Sequence, residues 1–103
     1  MTPAKIDRFQ KLLAQNPTNT LFRFSLAQAL DQADQSSAAL EHYRVCAADQ
    51  SDWMVPRIAL GKLYLKLGQR DTARRTLQEA LQLAIDQSHE EPEAELRMLL
   101  ASL

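Results

Sequence analysis

Two stretches of this 103-residue chain match each other without a gap at a spacing of 34 residues. Residues 20–50 align with residues 54–84, and residue size recurs at the positions that must pack. Ala39, for example, coincides with Ala73, so that a small residue stands at the same place in both copies. An internal match of this length indicates a repeated supersecondary unit that buries its apolar face by stacking on its neighbours.

Each copy contains two helical segments, and two further helices flank the pair. Leucine and alanine supply 32 of the 103 residues, whereas valine and isoleucine together supply five. Strong helix formers therefore dominate, and a sheet is not expected. Thr2 precedes Pro3 and is predicted to cap the first helix. From apolar residues at three- and four-residue steps we predict helices over about 3–15, 20–33, 37–49, 54–67, 70–85 and 92–102.

The aligned positions resemble the tetratricopeptide-repeat family, whose unit is a 34-residue helix-turn-helix. The family's leucine and small-residue pair is present as Leu26-Ala27 in one copy and Leu60-Gly61 in the other. The later motif positions are also filled by residues of the expected size, which are Leu30 and Tyr64, Ala39 and Ala73, Tyr43 and Leu77, and Cys46 and Ala80.

Two positions depart from the family's pattern. Arg23 and Arg57 replace its tryptophan, and Ser51 replaces the proline expected between the units, although Pro17 precedes the first unit. These differences indicate a divergent branch and leave the helix-turn-helix pattern intact. A generic stack of helical hairpins is the alternative fold.

The resemblance implies an all-α fold, in which about six helices form a right-handed stack of antiparallel hairpins in a single domain. Residues 1–16 then correspond to a half-repeat helix and residues 91–103 to a capping helix. Residues 20–50 and 54–84 are the two complete repeats.

The resemblance also implies a binding surface, because the first helix of each family unit lines a concave side that receives a peptide. An apolar floor with two lysines on one wall suits an acidic protein or peptide partner that has an apolar anchor. A last helix folded over this side is the alternative for part of the surface, notably Val55 and Leu65. The positions that would face the groove are Leu21, Phe24, Gln28, Asp31 and Gln32 in the first repeat and Val55, Ile58, Lys62, Leu65 and Lys66 in the second.

The sequence contains no recognisable catalytic or metal-binding constellation. Gly61 and Gly68 are its only glycines, so it has no glycine-rich phosphate loop. His42 and His89 lack further ligands at metal spacing. Cys46 coincides with a small residue of the other copy and is predicted to be a buried packing residue. We therefore predict no enzymatic activity, no bound metal and no cofactor.

Charge is segregated in the second half of the chain. Residues 1–51 are balanced, whereas residues 52–75 carry a net charge of +4 and residues 76–103 a net charge of −5. The total of −1 provides no global field toward nucleic acid or an anionic membrane, and neither is a predicted partner. The basic segment predicts a patch for an acidic partner or for the acidic end of a second copy; an ordinary solvated face is the alternative.

The predicted location is the cytoplasm. No apolar run reaches the roughly 18–20 residues that span a bilayer, the N-terminus shows no apolar signal core, and a single cysteine fits a reducing compartment. The predicted function is that of a non-enzymatic protein–protein interaction module. The alternatives are a self-associating scaffold, with Trp53 and flanking leucines joining a homodimer, and an accessory subunit of an enzyme complex.

Overall fold

A computed structural model describes residues 3–103, with Pro3 described by its backbone alone. Within this range the chain is all-α and has no strand, as predicted. Every predicted helix is present with bounds that differ by at most two residues, while the predicted cap at Thr2 lies outside the described residues. The helices α1 to α6 span Pro3–Gln15, Thr20–Gln32, Ser36–Asp49, Met54–Lys66, Arg70–Asp86 and Glu90–Ala101.

The chain divides into two compact units, unit 1 over Met1–Ser51 and unit 2 over Asp52–Leu103. In unit 1, α2 packs against both α1 and α3. In unit 2, α5 packs against both α4 and α6. Short connections between consecutive helices favour these antiparallel neighbours.

The core of unit 1 alternates small and large side chains across the contact between α2 and α3. Ala27, Ala39 and Cys46 are fully buried, which lets the two backbones approach closely. Leu30 and Tyr43 are buried beside them and fill the remaining space. The size pattern read from the sequence is therefore the packing pattern of this hairpin.

The core of unit 2 uses the same alternation and includes the last helix. Gly61 of α4 lies directly against Leu77 of α5, where an added Cβ would come within 2.6 Å of the leucine Cγ. Leu96 of α6 is fully buried in the same cluster. At the end of the unit, Gln87 Nε2 donates a hydrogen bond of 2.7 Å to the carbonyl oxygen of Asp52. The buried cluster comprises Met54, Leu77, Ala80, Ala84 and Leu96.

The turns of the two hairpins have the same construction. Asp34 and Gly68 both adopt a left-handed backbone, with φ of 59° and 79°. The following residue, Gln35 or Gln69, donates its backbone N–H over 2.9 Å to a carbonyl in the last turn of the preceding helix. Such a left-handed residue satisfies carbonyls that the helix end leaves open. Aspartate tolerates this conformation better than most non-glycine residues.

Candidate protein-interaction surface

Helix α2 begins at a side-chain cap. The Asn19 side chain accepts a hydrogen bond of 2.9 Å from the backbone N–H of Phe22. The helix then buries Leu26 and Leu30 and leaves its opposite side open to solvent. Leu21 is 65% exposed there. Gln28 and Gln32, also predicted to face a ligand, are exposed.

Two other predicted residues of α2 have structural contacts within unit 1. Phe24 is only 9% exposed, and its ring centroid lies 5.6 Å from that of Tyr43 in a tilted arrangement. Asp31 accepts a long hydrogen bond of 3.4 Å from the Tyr43 hydroxyl. Burial, followed by the nearby Asp31 charge, raises the pKa of Tyr43 well above its usual value. Phe24 and Asp31 therefore help to hold α2 on α3.

Helix α4 presents a mixed surface in unit 2. Val55 is 48% exposed, and Lys62 and Lys66 are also exposed. Ile58 and Leu65 are half-buried and pack against the cluster that contains Leu96. Of the two residues for which the sequence left coverage open, Val55 is thus exposed, whereas Leu65 contributes to the core.

Helix α6 supplies a charged partner for this surface. Glu95 Oε1 lies 2.7 Å from Lys62 Nζ, and both side chains are about half exposed. A ligand carboxylate at Lys62 would have to replace Glu95 or share the ammonium group with it. An exposed pair of this kind contributes only about 0–1 kcal/mol, so the exchange is energetically accessible. Sequence reasoning did not identify Glu95, because nothing in the primary structure pairs α6 with α4.

The two arginines at the tryptophan position join the helices of their own hairpins. Arg23 Nη1 lies 3.1 Å from His42 Nδ1, and Arg23 also donates a 3.3 Å hydrogen bond to the carbonyl oxygen of Pro17. Arg57 Nη1 pairs with Glu79 Oε1 at 3.0 Å. Both arginines thus act as links to the second helix of their hairpin. Their recurrence at equivalent positions was the available signal for this role.

His42 and Cys46 have perturbed protonation equilibria with plain structural causes. Burial, together with the Arg23 charge, lowers the pKa of His42, and Glu41 opposes the shift. Burial raises the pKa of Cys46 to about 11. The Cys46 thiol lies 3.7 Å from the carbonyl oxygen of Thr20, to which it donates. A buried thiol that stays protonated at neutral pH is a poor nucleophile, consistent with the predicted packing role.

Residues 3–103 offer neither a cluster of side chains for a metal ion nor a helix that could span a membrane. No group of three or more histidine, cysteine, aspartate or glutamate side chains is arranged to hold a metal ion there. Every helix in that range is too short or too polar to cross a membrane. One open depression runs along the outside of α1 and contains none of the predicted ligand-facing residues. It is lined by Ala4, Asp7, Arg8, Lys11, Leu12 and Gln15.

Comparison with known proteins gives matches only at the level of three-dimensional structure. No protein-family model matches the chain, and no curated protein matches its sequence.

Three solved structures illustrate the similarity. A protein of Bordetella parapertussis is 29% identical, with 98% of this chain and 88% of that chain covered at a TM-score of 0.84. A tetratricopeptide repeat domain protein of Salinibacter ruber is 26% identical, with 84% and 87% covered at a TM-score of 0.77. PcrH, solved with the chaperone binding region of PopD, is 21% identical, with 94% and 74% covered at a TM-score of 0.87.

These similarities extend over most of the chain. The chain has a tetratricopeptide-repeat-like fold.

Proposed function

We propose that this chain is a non-enzymatic interaction module that binds a peptide or protein surface with the first helix of each hairpin. The observation that carries the proposal is a pair of exposed apolar residues at equivalent repeat positions. Leu21 on α2 and Val55 on α4 lie 34 residues apart, and both are largely open to solvent. The folding of each hairpin does not require an apolar residue there, because each hairpin packs through the opposite side of its first helix. A contact with another molecule would explain the recurrence.

The structural neighbours support binding of a protein partner. PcrH was solved with the chaperone binding region of PopD. A second neighbour was solved as the CopN–Scc3 complex. Its matching chain is 26% identical to this one, and the match covers 91% of this chain and 56% of that chain at a TM-score of 0.83. By analogy, we infer that residues 20–50 and 54–84 act as the binding repeats. Residues 1–16 and 91–103 then act as the flanking half-repeat and cap.

The proposed partner is an acidic segment with an apolar anchor. Leu21 and Val55 offer apolar contacts, while Lys62 and Lys66 offer positive charge. On α2, Gln28, Gln32 and Asp31 would add polar contacts, with Phe24 as an apolar contact beneath them. On α4, Ile58 and Leu65 would add further apolar contacts. The Lys62–Glu95 pair supports the acidic preference, because the chain itself already sets a carboxylate against this lysine.

The proposal can be tested by site-specific photocrosslinking in the native host. A photoreactive residue at Leu21 or at Val55 should capture the same protein. The matched control is Met98 on α6, which is 76% exposed but lies outside the proposed surface. Capture of the same set of proteins from position 98 would contradict the proposal.

Charge substitutions then test the chemistry of the captured partner. Lys62→Glu together with Lys66→Glu should weaken binding about tenfold, because two exposed attractive charges become repulsive. Glu95→Gln should strengthen it, since Lys62 loses its internal competitor. Lys5→Glu with Lys11→Glu on α1 changes the net charge equally and should have little effect. Equal weakening by both double variants would show nonspecific electrostatics instead.

A further inference from the structure

We propose that the turn between α4 and α5 is a second docking surface, which receives an acidic peptide segment bearing an apolar side chain. The surface, here called the turn patch, consists of Leu67, Arg70, Arg74 and Arg75. It lies at the end of the hairpin and shares no residue with the ligand-facing set on α2 and α4. It therefore does not depend on the function proposed above.

The turn patch combines exposed positive charge with an exposed apolar side chain. Leu67 is the C-terminal cap of α4 and is 39% exposed. Arg70 and Arg75 are exposed, and neither forms an ion pair within the part of the chain that the structure describes. Arg74 pairs with Asp71 at 3.2 Å, a contact between neighbouring turns of one helix that solvent weakens. Among the described residues, the three arginines of the turn patch thus have a single ion-pair partner between them, the carboxylate of Asp71.

The turn of unit 1 serves as an internal control for this charge. It has the same left-handed residue and the same 2.9 Å backbone hydrogen bond as the turn of unit 2. Its residues at the four equivalent positions nevertheless carry no positive charge. The backbone conformation of the turn therefore does not require the arginines. The equivalent residues are Ala33, Ser36, Leu40 and Glu41.

Helix electrostatics do not explain the arginines either. The beginning of a helix carries partial positive charge, which acidic side chains stabilise and basic ones do not. Helix α6 follows the usual preference, with Glu90, Glu91 and Glu93 in its first turn. Arg70 is the first residue of α5, so its charge adds to the positive end of the helix. Arg70 thus adds positive charge at the start of α5, three residues after Leu67.

An acidic peptide fits this surface better than the other polyanions. Guanidinium groups bind carboxylates through paired hydrogen bonds, and Leu67 provides an apolar contact that nucleic acid would leave unused. The turn patch has no aromatic ring on which a base could stack. The acidic segment of a second copy is the other protein ligand to consider for the turn patch. Such a head-to-tail contact would assemble copies into open chains unless it closed into a ring.

The probe for the test is a fluorescein-labelled synthetic peptide in which glutamates surround a central leucine. We expect fluorescence anisotropy to show binding that weakens as salt is raised. Arg70→Glu together with Arg75→Glu should reduce affinity about tenfold or more. Arg70→Gln with Arg75→Gln should give a smaller loss, and replacing the peptide's leucine by alanine should also weaken binding. Circular dichroism checks that each variant remains helical.

The controls separate this proposal from the preceding one. Lys5→Glu with Lys11→Glu should change affinity less than about twofold, because these charges belong to α1 of unit 1 and are not part of the turn patch. The proposal is overturned if that control loses as much affinity as the turn variant, or if wild-type protein does not bind the peptide. It is also overturned if only Lys62→Glu with Lys66→Glu abolishes binding, a result that would favour the surface of α4. Tighter binding of a single-stranded oligonucleotide, or light scattering that shows self-assembly through the turn patch, would likewise replace it.

Discussion

At the scale of single residues, polar side chains join the helices of unit 1 where the tetratricopeptide family uses a large aromatic ring. Arg23 reaches His42 on α3, and the contact requires an imidazole nitrogen with a free lone pair. Protonation of His42 would remove that acceptor and set two cations side by side. The environment therefore favours neutral histidine, in agreement with the lowered pKa.

We predict that unit 1 loses stability as the pH falls through the range just below 6.5. The unfolded state has a His42 pKa near the ordinary value of about 6.5 and binds the proton first, because the folded pKa is lower. The stabilisation that neutral His42 provides is fully present at pH values above its pKa in the unfolded state. It is lost as the pH falls toward the lower pKa of His42 in the folded state. The groups that act on His42 are Arg23 from α2 and Glu41 on its own helix. Urea unfolding followed by circular dichroism at several pH values measures the effect.

The control variants for this pH dependence differ at one histidine each. His42→Asn keeps an acceptor oxygen for Arg23 but does not titrate, so its unfolding midpoint should vary less with pH. His89→Asn changes the exposed histidine and should retain the wild-type dependence. A pH profile that is the same for His42→Asn and wild type would contradict the assignment.

At the scale of the elements, close contact between helices depends on small residues at fixed places. Gly61 lies within α4 and has no conformational reason to be glycine, since of the two glycines only Gly68 has a positive φ. Its role is steric, because Leu77 of α5 occupies the space that a Cβ would take. In unit 1 the equivalent positions hold Ala27 and Tyr43, and both residues are buried.

Gly61→Ala should destabilise unit 2 by about 1–2 kcal/mol. Overpacking typically costs about 1–3 kcal/mol, while the higher helix propensity of alanine returns up to about 1 kcal/mol. Trp53, the only tryptophan of the chain, lies in unit 2, so its fluorescence can follow urea unfolding of this unit. A stabilised Gly61→Ala protein would show that Leu77 moves aside freely.

The cause can be checked in a background that removes the obstructing side chain. In Leu77→Ala protein the added methyl group at residue 61 has room, so the second substitution should be neutral or stabilising. Contacting residues are expected to show such non-additivity. An equal cost in both backgrounds would mean that the effect does not arise from this contact.

At the scale of the whole molecule, the net charge of −1 hides opposite fields within unit 2. Residues 52–75 are basic and residues 76–103 acidic, while unit 1 is balanced. Ion pairs connect the two segments at Arg57–Glu79 and Lys62–Glu95. Other charges of both segments are exposed to solvent, among them Arg70, Arg75, Glu90 and Glu91.

This segregation predicts an unusual salt dependence of the interaction between copies. Salt screens repulsion between uniformly charged molecules, but here it should screen attraction between opposite segments. The second virial coefficient, measured by static light scattering near neutral pH, should therefore increase as sodium chloride is added. A coefficient that decreases with salt would indicate that net charge controls the encounter.

Much of the fold could be predicted from local pattern. The positions of Ala39, Ala73 and Gly68 identified the hairpins and their turns, because helix propensity, side-chain size and left-handed turns act over a few residues. Which of the predicted ligand-facing residues are exposed to solvent could not be predicted from local pattern in the same way. Phe24 and Leu21 belong to the same helix and have similar hydrophobicity, yet one packs on Tyr43 and the other is exposed to solvent.

The sequence by itself determined six helices, a 34-residue repeat and the segregation of charge, since each depends on residue order alone. Only the tertiary structure decided that Arg23 faces His42, that Glu95 pairs with Lys62, and that Leu96 enters the core of unit 2. These contacts join residues that are distant along the chain, so their energies depend on helix packing and side-chain geometry. That is also why the charge segregation was visible in the sequence, whereas the exposure of Arg70 and Arg75 was not.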